Sequence, residues 1–191
     1  TTGTENTLIG GLAGDALTDA DYNVAIGSSA LSADTLGSRA IAIGAGALGR
    51  QNFTSATANY NIGIGYDAGL NVTTGIENTL MGGLAGDALT DADYNVAIGS
   101  SALTTDTLGS KSTAIGVGTL ENQNFTTATD SQNTAVGFFA GRAVTTGTGN
   151  TLIGGQTGDA LTTGFSNVAI GRNALSTEDT GRKNTAVGFS A

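Results

Sequence analysis

Apolar and polar positions alternate in one short phrase that returns eleven times: Asn or a small residue, a β-branched or Thr residue, a small or apolar residue, a large aliphatic, then Gly, as in Asn23-Val24-Ala25-Ile26-Gly27. The alternation has a period of two, which predicts a short β-strand closed by a bend. The closing glycines stand at Gly10, Gly27, Gly44, Gly65, Gly82, Gly99, Gly116, Gly137, Gly154, Gly171 and Gly188. The interval from Gly10 to Gly27 is kept along the whole chain, except that it is stretched by four positions after Gly44 and after Gly116. A longer period of four coils overlies it: Thr18-Asp19-Ala20-Asp21-Tyr22-Asn23 returns at Thr90 to Asn95, and Gln51-Asn52-Phe53-Thr54 at Gln123 to Thr126. A unit this short cannot bury its own apolar face, so the pattern predicts an all-β, parallel β-solenoid of eleven coils, about 17 residues each, in a single array over residues 1–191. The super-repeat divides it at about 3–74, 75–146 and a partial 147–191.

Stacked coils turn the sequence into columns. Four residues before the Gly stand Asn6, Asn23, Asn61, Asn78, Asn95, Asn133, Asn150, Asn167 and Asn184, which predicts a structural ladder of side-chain amides at strand spacing. One residue before the Gly come Ile9, Ile26, Ile43, Ile64, Met81, Ile98, Ile115, Val136, Ile153, Ile170 and Val187, the expected core of the coil. Two residues earlier, on the same strand face, Val24, Ile41, Ile62, Val96 and Val168 interleave with Thr7, Thr79, Thr113, Thr134, Thr151 and Thr185. The residue between the two faces the other way and is never charged: Ala25, Ala42, Gly63, Ala97, Ala114, Ala135, Ala169 and Ala186, with Leu8, Leu80 and Leu152 once in every four coils. Such a column is expected to pack against other chains about a shared axis.

Composition narrows the function. The net charge is −9, and the basic residues are scattered, which argues against nucleic acid as a partner. The chain has no Cys and no His, so thiolate and imidazole chemistry are absent, and no cofactor is expected. No apolar run is long enough for a membrane-spanning helix, so no membrane insertion by this segment is expected. Thr1-Thr2-Gly3 does not open a signal peptide; neither end looks capped, and the expectation is an excerpt of a longer fibre. Carboxylates are the remaining candidate catalysts or ligands. Asp19 and Asp21, with Asp91 and Asp93, are weak candidates for calcium, but the third copy of that loop, Thr162-Thr163-Gly164-Phe165, lacks both acids; solvated turns are the expectation. The lengthened loops, residues 51–61 and 123–133, place Phe53 and Phe125 where the coil leaves its regular cross-section, as packing or binding side chains, with packing on a neighbouring chain preferred.

The phrase Asn23 to Leu31, its copy Asn95 to Leu103, and Asn167 to Leu175 resemble the head repeats of the YadA-like trimeric autotransporter adhesins; Asn133 to Gly137 and Asn150 to Gly154 are similar to repeats of bacteriophage tail fibres. The resemblance spans the whole chain. It implies a left-handed parallel β-roll, a side-by-side homotrimer and an extracellular setting on a bacterial cell surface or virion tail fibre. There the chain would serve as a non-enzymatic structural and adhesive segment that meets a host surface glycan or protein receptor. The coil is longer than that of the adhesin heads, so loop geometry does not carry over. Two alternatives stand beside this reading: a self-assembling extracellular filament, and an ice-binding solenoid, the latter disfavoured because Val and Ile interrupt the Thr column.

Overall fold

The computed structural model describes residues 2–191, and Thr1 lies outside them. No helix occurs among the described residues. The strands, in order, are β1 (Thr7–Ile9), β2 (Val24–Ile26), β3 (Gly37–Ser38), β4 (Ile41–Ile43), β5 (Thr57–Ala58), β6 (Ile62–Ile64), β7 (Thr79–Met81), β8 (Val96–Ile98), β9 (Gly109–Ser110), β10 (Thr113–Ile115), β11 (Thr129–Asp130), β12 (Thr134–Val136), β13 (Thr151–Ile153), β14 (Val168–Ile170) and β15 (Thr185–Val187). The eleven three-residue strands form one parallel sheet, each pairing with the next in phase: Ala25 lies on Ala42, Ala42 on Gly63, Gly63 on Leu80. The protein is therefore a parallel β-solenoid of about eleven turns. At roughly 4.8 Å per rung the sheet is about 50 Å long. Small two-stranded sheets, β3 with β5 and β9 with β11, sit where the coils are lengthened.

Backbone hydrogen bonds run mostly from coil to coil, in the turns as well as in the sheet. Gly27 N donates to the Ile9 carbonyl, Ser29 N to that of Gly11, and Leu31 N to that of Ala47. This requires unusual dihedrals at fixed phases. The residue five before each Gly, the residue two after it and, in ten coils, the residue four after it have positive φ, as in Tyr22, Ser29 and Leu31. A non-Gly residue there costs about 1–2 kcal/mol, offset by the continuous ladder. The Gly column has a stricter need. Gly27 has φ of 131°, and a Cβ on it would lie 2.6 Å from the Gly44 carbonyl carbon and oxygen, so successive glycines stack backbone on backbone.

The bore is filled by the small column and not by the large one. Ala25, Ala42, Leu80, Ala97, Ala114, Ala135, Leu152 and Ala169 are fully buried inside their own coil. The expected core column faces outward: Ile9, Met81, Ile115, Ile153, Ile170 and Val187 are exposed, and Ile26, Ile43, Ile64, Ile98 and Val136 are half-buried. Both assignments made from the period of two are thus reversed, and the alanines are not available to a neighbouring chain. The physical reason is width. Opposite the strands the turn contributes its own column, Ala30, Ala47, Ala68, Ala85 and Ala102, with Leu31, Leu48, Leu103 and Leu120 beside it, leaving room for a bulky side chain at no more than one of the two facing positions, strand centre and turn, in each coil.

Volume is conserved by exchange. Where the strand centre is Leu80 or Leu152, the residue four after the Gly is Gly86 or Gly158; a Cβ on them would come within 2.7 and 2.8 Å of the leucine Cδ2 atoms. Where the centre is Ala97 or Ala114, that position is Leu103 or Leu120. Gly63 and Gly69 are small at both positions. Leu48 fills the space from one side and Leu80 from the other, approaching the Cβ sites to 2.8 and 2.6 Å.

Candidate functional site

Two surfaces follow from this winding: the outer face of the long sheet, and the corner where four extra residues enter. The outer face carries two columns, the β-branched or Thr residues that open each strand and the aliphatics that close it. Just past the bend, Tyr66, Val117, Phe138 and Phe189 extend the apolar surface, each 46–72% exposed. No charged side chain interrupts the strand columns. A strip about 50 Å by 10 Å, on the order of 500 Å², is as large as the largest apolar patch expected on a solitary soluble chain.

The Asn column forms a ladder, but chiefly through the backbone. In each of these coils except the last, Oδ1 accepts from a backbone N–H of the next coil, and in most Nδ2 donates to a carbonyl of that coil. Asn150 is representative: it accepts from Asn167 N at 3.0 Å and donates to the Gly164 carbonyl at 2.8 Å. Direct amide-to-amide bonds are fewer and longer, as from Asn150 Nδ2 to Asn133 Oδ1 at 3.2 Å. The column breaks at Ala40 and Ser112, and there the lengthened coils substitute for it. Buried Gln51 donates to Asp34 Oδ2 at 2.6 Å and accepts from Asn61 Nδ2 at 2.9 Å, while Asn61 N donates to Asn59 Oδ1 at 2.9 Å. Asp34 Oδ1 also accepts from Gly37 N and Phe53 N. Gln123, Asp106, Asn133, Gly109 and Phe125 repeat the arrangement, with Ser112 and Ser131 in mutual hydrogen-bond contact.

Phe53 and Phe125 belong to this corner and do not project. They are 5% and 6% exposed within their own chain, so neither is a platform for a ligand or a neighbouring chain. Their N–H groups are held by the buried aspartates, which turn the inserted segment inward. Asp34, Asp106, Gln51 and Gln123 were missed at the level of sequence. The available signal was the coincidence of a missing Asn, a lengthened interval between glycines and an Asp that recurs four coils further on.

Asp19, Asp21, Asp91 and Asp93 are joints between coils. Asp19 accepts from Thr2 Oγ1 at 2.7 Å, Asp21 from Thr4 N at 2.6 Å, Asp91 from Thr74 Oγ1 at 2.6 Å, and Asp93 from Ile76 N at 2.8 Å. No cluster of three or more potential metal ligands occurs among the described residues. Asp87 differs in environment: burial raises its carboxyl above the ordinary value of 3.8, the Thr104 hydroxyl bonded to it at 2.5 Å opposes this, and the Asp67 charge adds to it. No helix of the described residues is long and apolar enough to cross a membrane. No family model matches the chain, and neither a curated protein nor a solved structure is significantly similar to it.

Proposed function

We propose that this chain is a non-enzymatic structural and adhesive segment of a homotrimeric extracellular fibre, with left-handed coils standing three abreast and loops presented to a host surface glycan or protein receptor. The observation that carries the proposal is the uncharged outer face of Ile, Val, Met and Thr side chains running the full length of the sheet. Two such strips placed together would remove on the order of 1,000 Å² from water, and the flanking Tyr66, Val117 and Phe138 bring the total into the range of specific interfaces. The columns that meet around the axis are therefore the outward Ile, Val and Thr residues, in place of the alanines. Repetition along a rod multiplies weak loop contacts into firm attachment. The resemblance to adhesin heads and tail fibres supplies the cell-surface or virion setting. Sedimentation equilibrium is the test: the mass should be three times the 18.7 kDa of one chain, and Ile41→Lys with Ile98→Lys should reduce it to one. A wild-type monomer at micromolar concentration would overturn the assembly.

The same face supports a second reading. Every residue that opens a strand of the long sheet is Thr, Val or Ile, and the column is now seen to face outward on a regular parallel sheet, as an ice-binding surface requires. Thermal hysteresis in solution would favour that reading, and its absence would remove it.

A further inference from the structure

The positive-φ residue five before the Gly carries an exposed side chain in each of the first seven coils, where the column reads Glu5, Tyr22, Arg39, Tyr60, Glu77, Tyr94, Lys111. Arg39 lies between two aromatic rings on adjacent coils: its guanidinium carbon is 5.0 Å from the centroid of Tyr22 and 5.8 Å from that of Tyr60. The rings flank the guanidinium from the coils on either side, and its N–H groups have no hydrogen-bond partner among the described residues. The one ion pair among them, between Lys111 and Asp130, lies elsewhere. Beside Arg39 is a cleft of about 220 Å³ lined by Asp21, Tyr22, Ser38, Arg39 and residues 56–58, the last brought in by the four-residue insertion.

The four-coil repeat contains an altered copy of the same corner. Tyr94 matches Tyr22, but Lys111 replaces Arg39, Gln132 replaces Tyr60 and Asp130 replaces Ala58. Lys111 Nζ is bonded to Asp130 at 2.5 Å, and that hydrogen bond raises its pKa above the ordinary value. The second corner has thus lost one ring and neutralised its cation internally. Only the first keeps a planar cation, held from both sides, with its donors unspent.

We propose that the cleft beside Arg39, which Tyr22 lines and whose guanidinium Tyr60 backs from the next coil, binds an acidic saccharide, a pyranose carrying one carboxylate; this rests on the adhesive reading above and names the ligand class for it. A guanidinium held rigid presents two parallel N–H donors that match a carboxylate, and little ordering is needed on binding. The exposed Tyr22 ring, which lines the cleft, offers apolar surface to the C–H side of a sugar ring. Asp21 uses Oδ1 for the preceding coil and leaves Oδ2 to accept from a sugar hydroxyl, with the Ser38 hydroxyl adjacent. The net charge of −9 disfavours polyanions, so a single carboxylate on a neutral, hydroxyl-rich frame is the better complement.

Saturation-transfer NMR on the assembled protein, with methyl glucuronide as probe and methyl glucoside as neutral comparison, tests this. The glucuronide should be saturated with a Kd on the order of 1 mM, and the glucoside should not. Arg39→Gln should weaken binding about tenfold or more, Tyr60→Gln severalfold, and Lys111→Gln should leave it unchanged. Equal saturation of the two sugars, indifference to Arg39→Gln in a variant that melts like wild type, equal competition by acetate, or tighter competition by a short peptide carboxylate would each overturn the proposal. Sedimentation of the same samples separates the two readings: a trimer that ignores glucuronide overturns the cleft alone, and a monomer that binds it overturns the fibre assembly alone.

Discussion

Replacing Leu80 by Ala empties a coil interior on which two glycines depend. Leu80 is fully buried, and its methyl groups occupy the space over Gly86 within its own coil and over Gly69 in the coil before. Loss of a buried Leu side chain with little chance of collapse costs about 3–4 kcal/mol, which lowers Tm by about 6–15 °C for a chain of this size. Gly86→Leu alone should also destabilise, by about 2–4 kcal/mol. Its Cβ would stand 2.7 Å from Leu80 Cδ2, and a side chain at φ of 56° adds about 1 kcal/mol. Together the two changes recreate the arrangement of the next coil, Ala97 with Leu103, where Leu103 has φ of 53°. The double variant refills its own coil but leaves the space over Gly69 empty, so it should lie about 2–3 kcal/mol below wild type, well short of the summed single losses, a coupling of about 3 kcal/mol or more in favour of the pair. Denaturant titration followed by circular dichroism measures all three. Simple additivity would refute the exchange of volume between strand and turn.

Other expectations follow from individual hydrogen bonds. Asn150→Ala leaves the Gly164 carbonyl and the Asn167 N–H unpaired in the interior and should cost about 3–5 kcal/mol by denaturant titration, whereas Asn6→Ala in the first coil should cost about 1 kcal/mol because water can replace it. Asp34→Ala orphans Gly37 N, Phe53 N and Gln51 Nε2, so a loss of about 3–5 kcal/mol is expected, with proteolytic cleavage appearing first within residues 53–58. For Asp87 the folded-state pKa is raised, so the native chain holds more protons than the unfolded one just above pH 3.8, and stability falls as pH rises through that window. Asp87→Asn should flatten that part of the profile and be the more stable form near pH 7; melting curves of both proteins between pH 3 and pH 7 check the difference.

Coil length, strand positions and in-phase pairing were legible because each depends only on the spacing of glycines and β-branched residues. The Asn column was legible too, since nothing but stacking explains one amide per coil. Which strand face points inward was not. A period of two separates the faces without giving the sign, and hydrophobic size favoured Ile26 over Ala25. The sign was nevertheless written in the covariation of Leu80 with Gly86 and of Ala97 with Leu103, because two positions trade volume only if they share a cavity. The corner was opaque for another reason. Burial of Phe53 depends on Asp34, which lies one coil before Gln51, and an isolated Asp in a turn reads as solvated.

The filling of the bore also restricts how such an array can change length. Gly63 and Gly69 hold no bulk of their own, so removing residues 75–91 would place Ala97 and Leu103 where Leu80 had been and leave a void along the axis. Removing residues 75–146 would instead set Gly147 after Thr74 and bring Leu152 into the vacated place, with every neighbour matched. Duplication and loss are thereby quantised in four-coil steps of about 19 Å. The shorter deletion should melt well below the longer one, although it discards fewer residues.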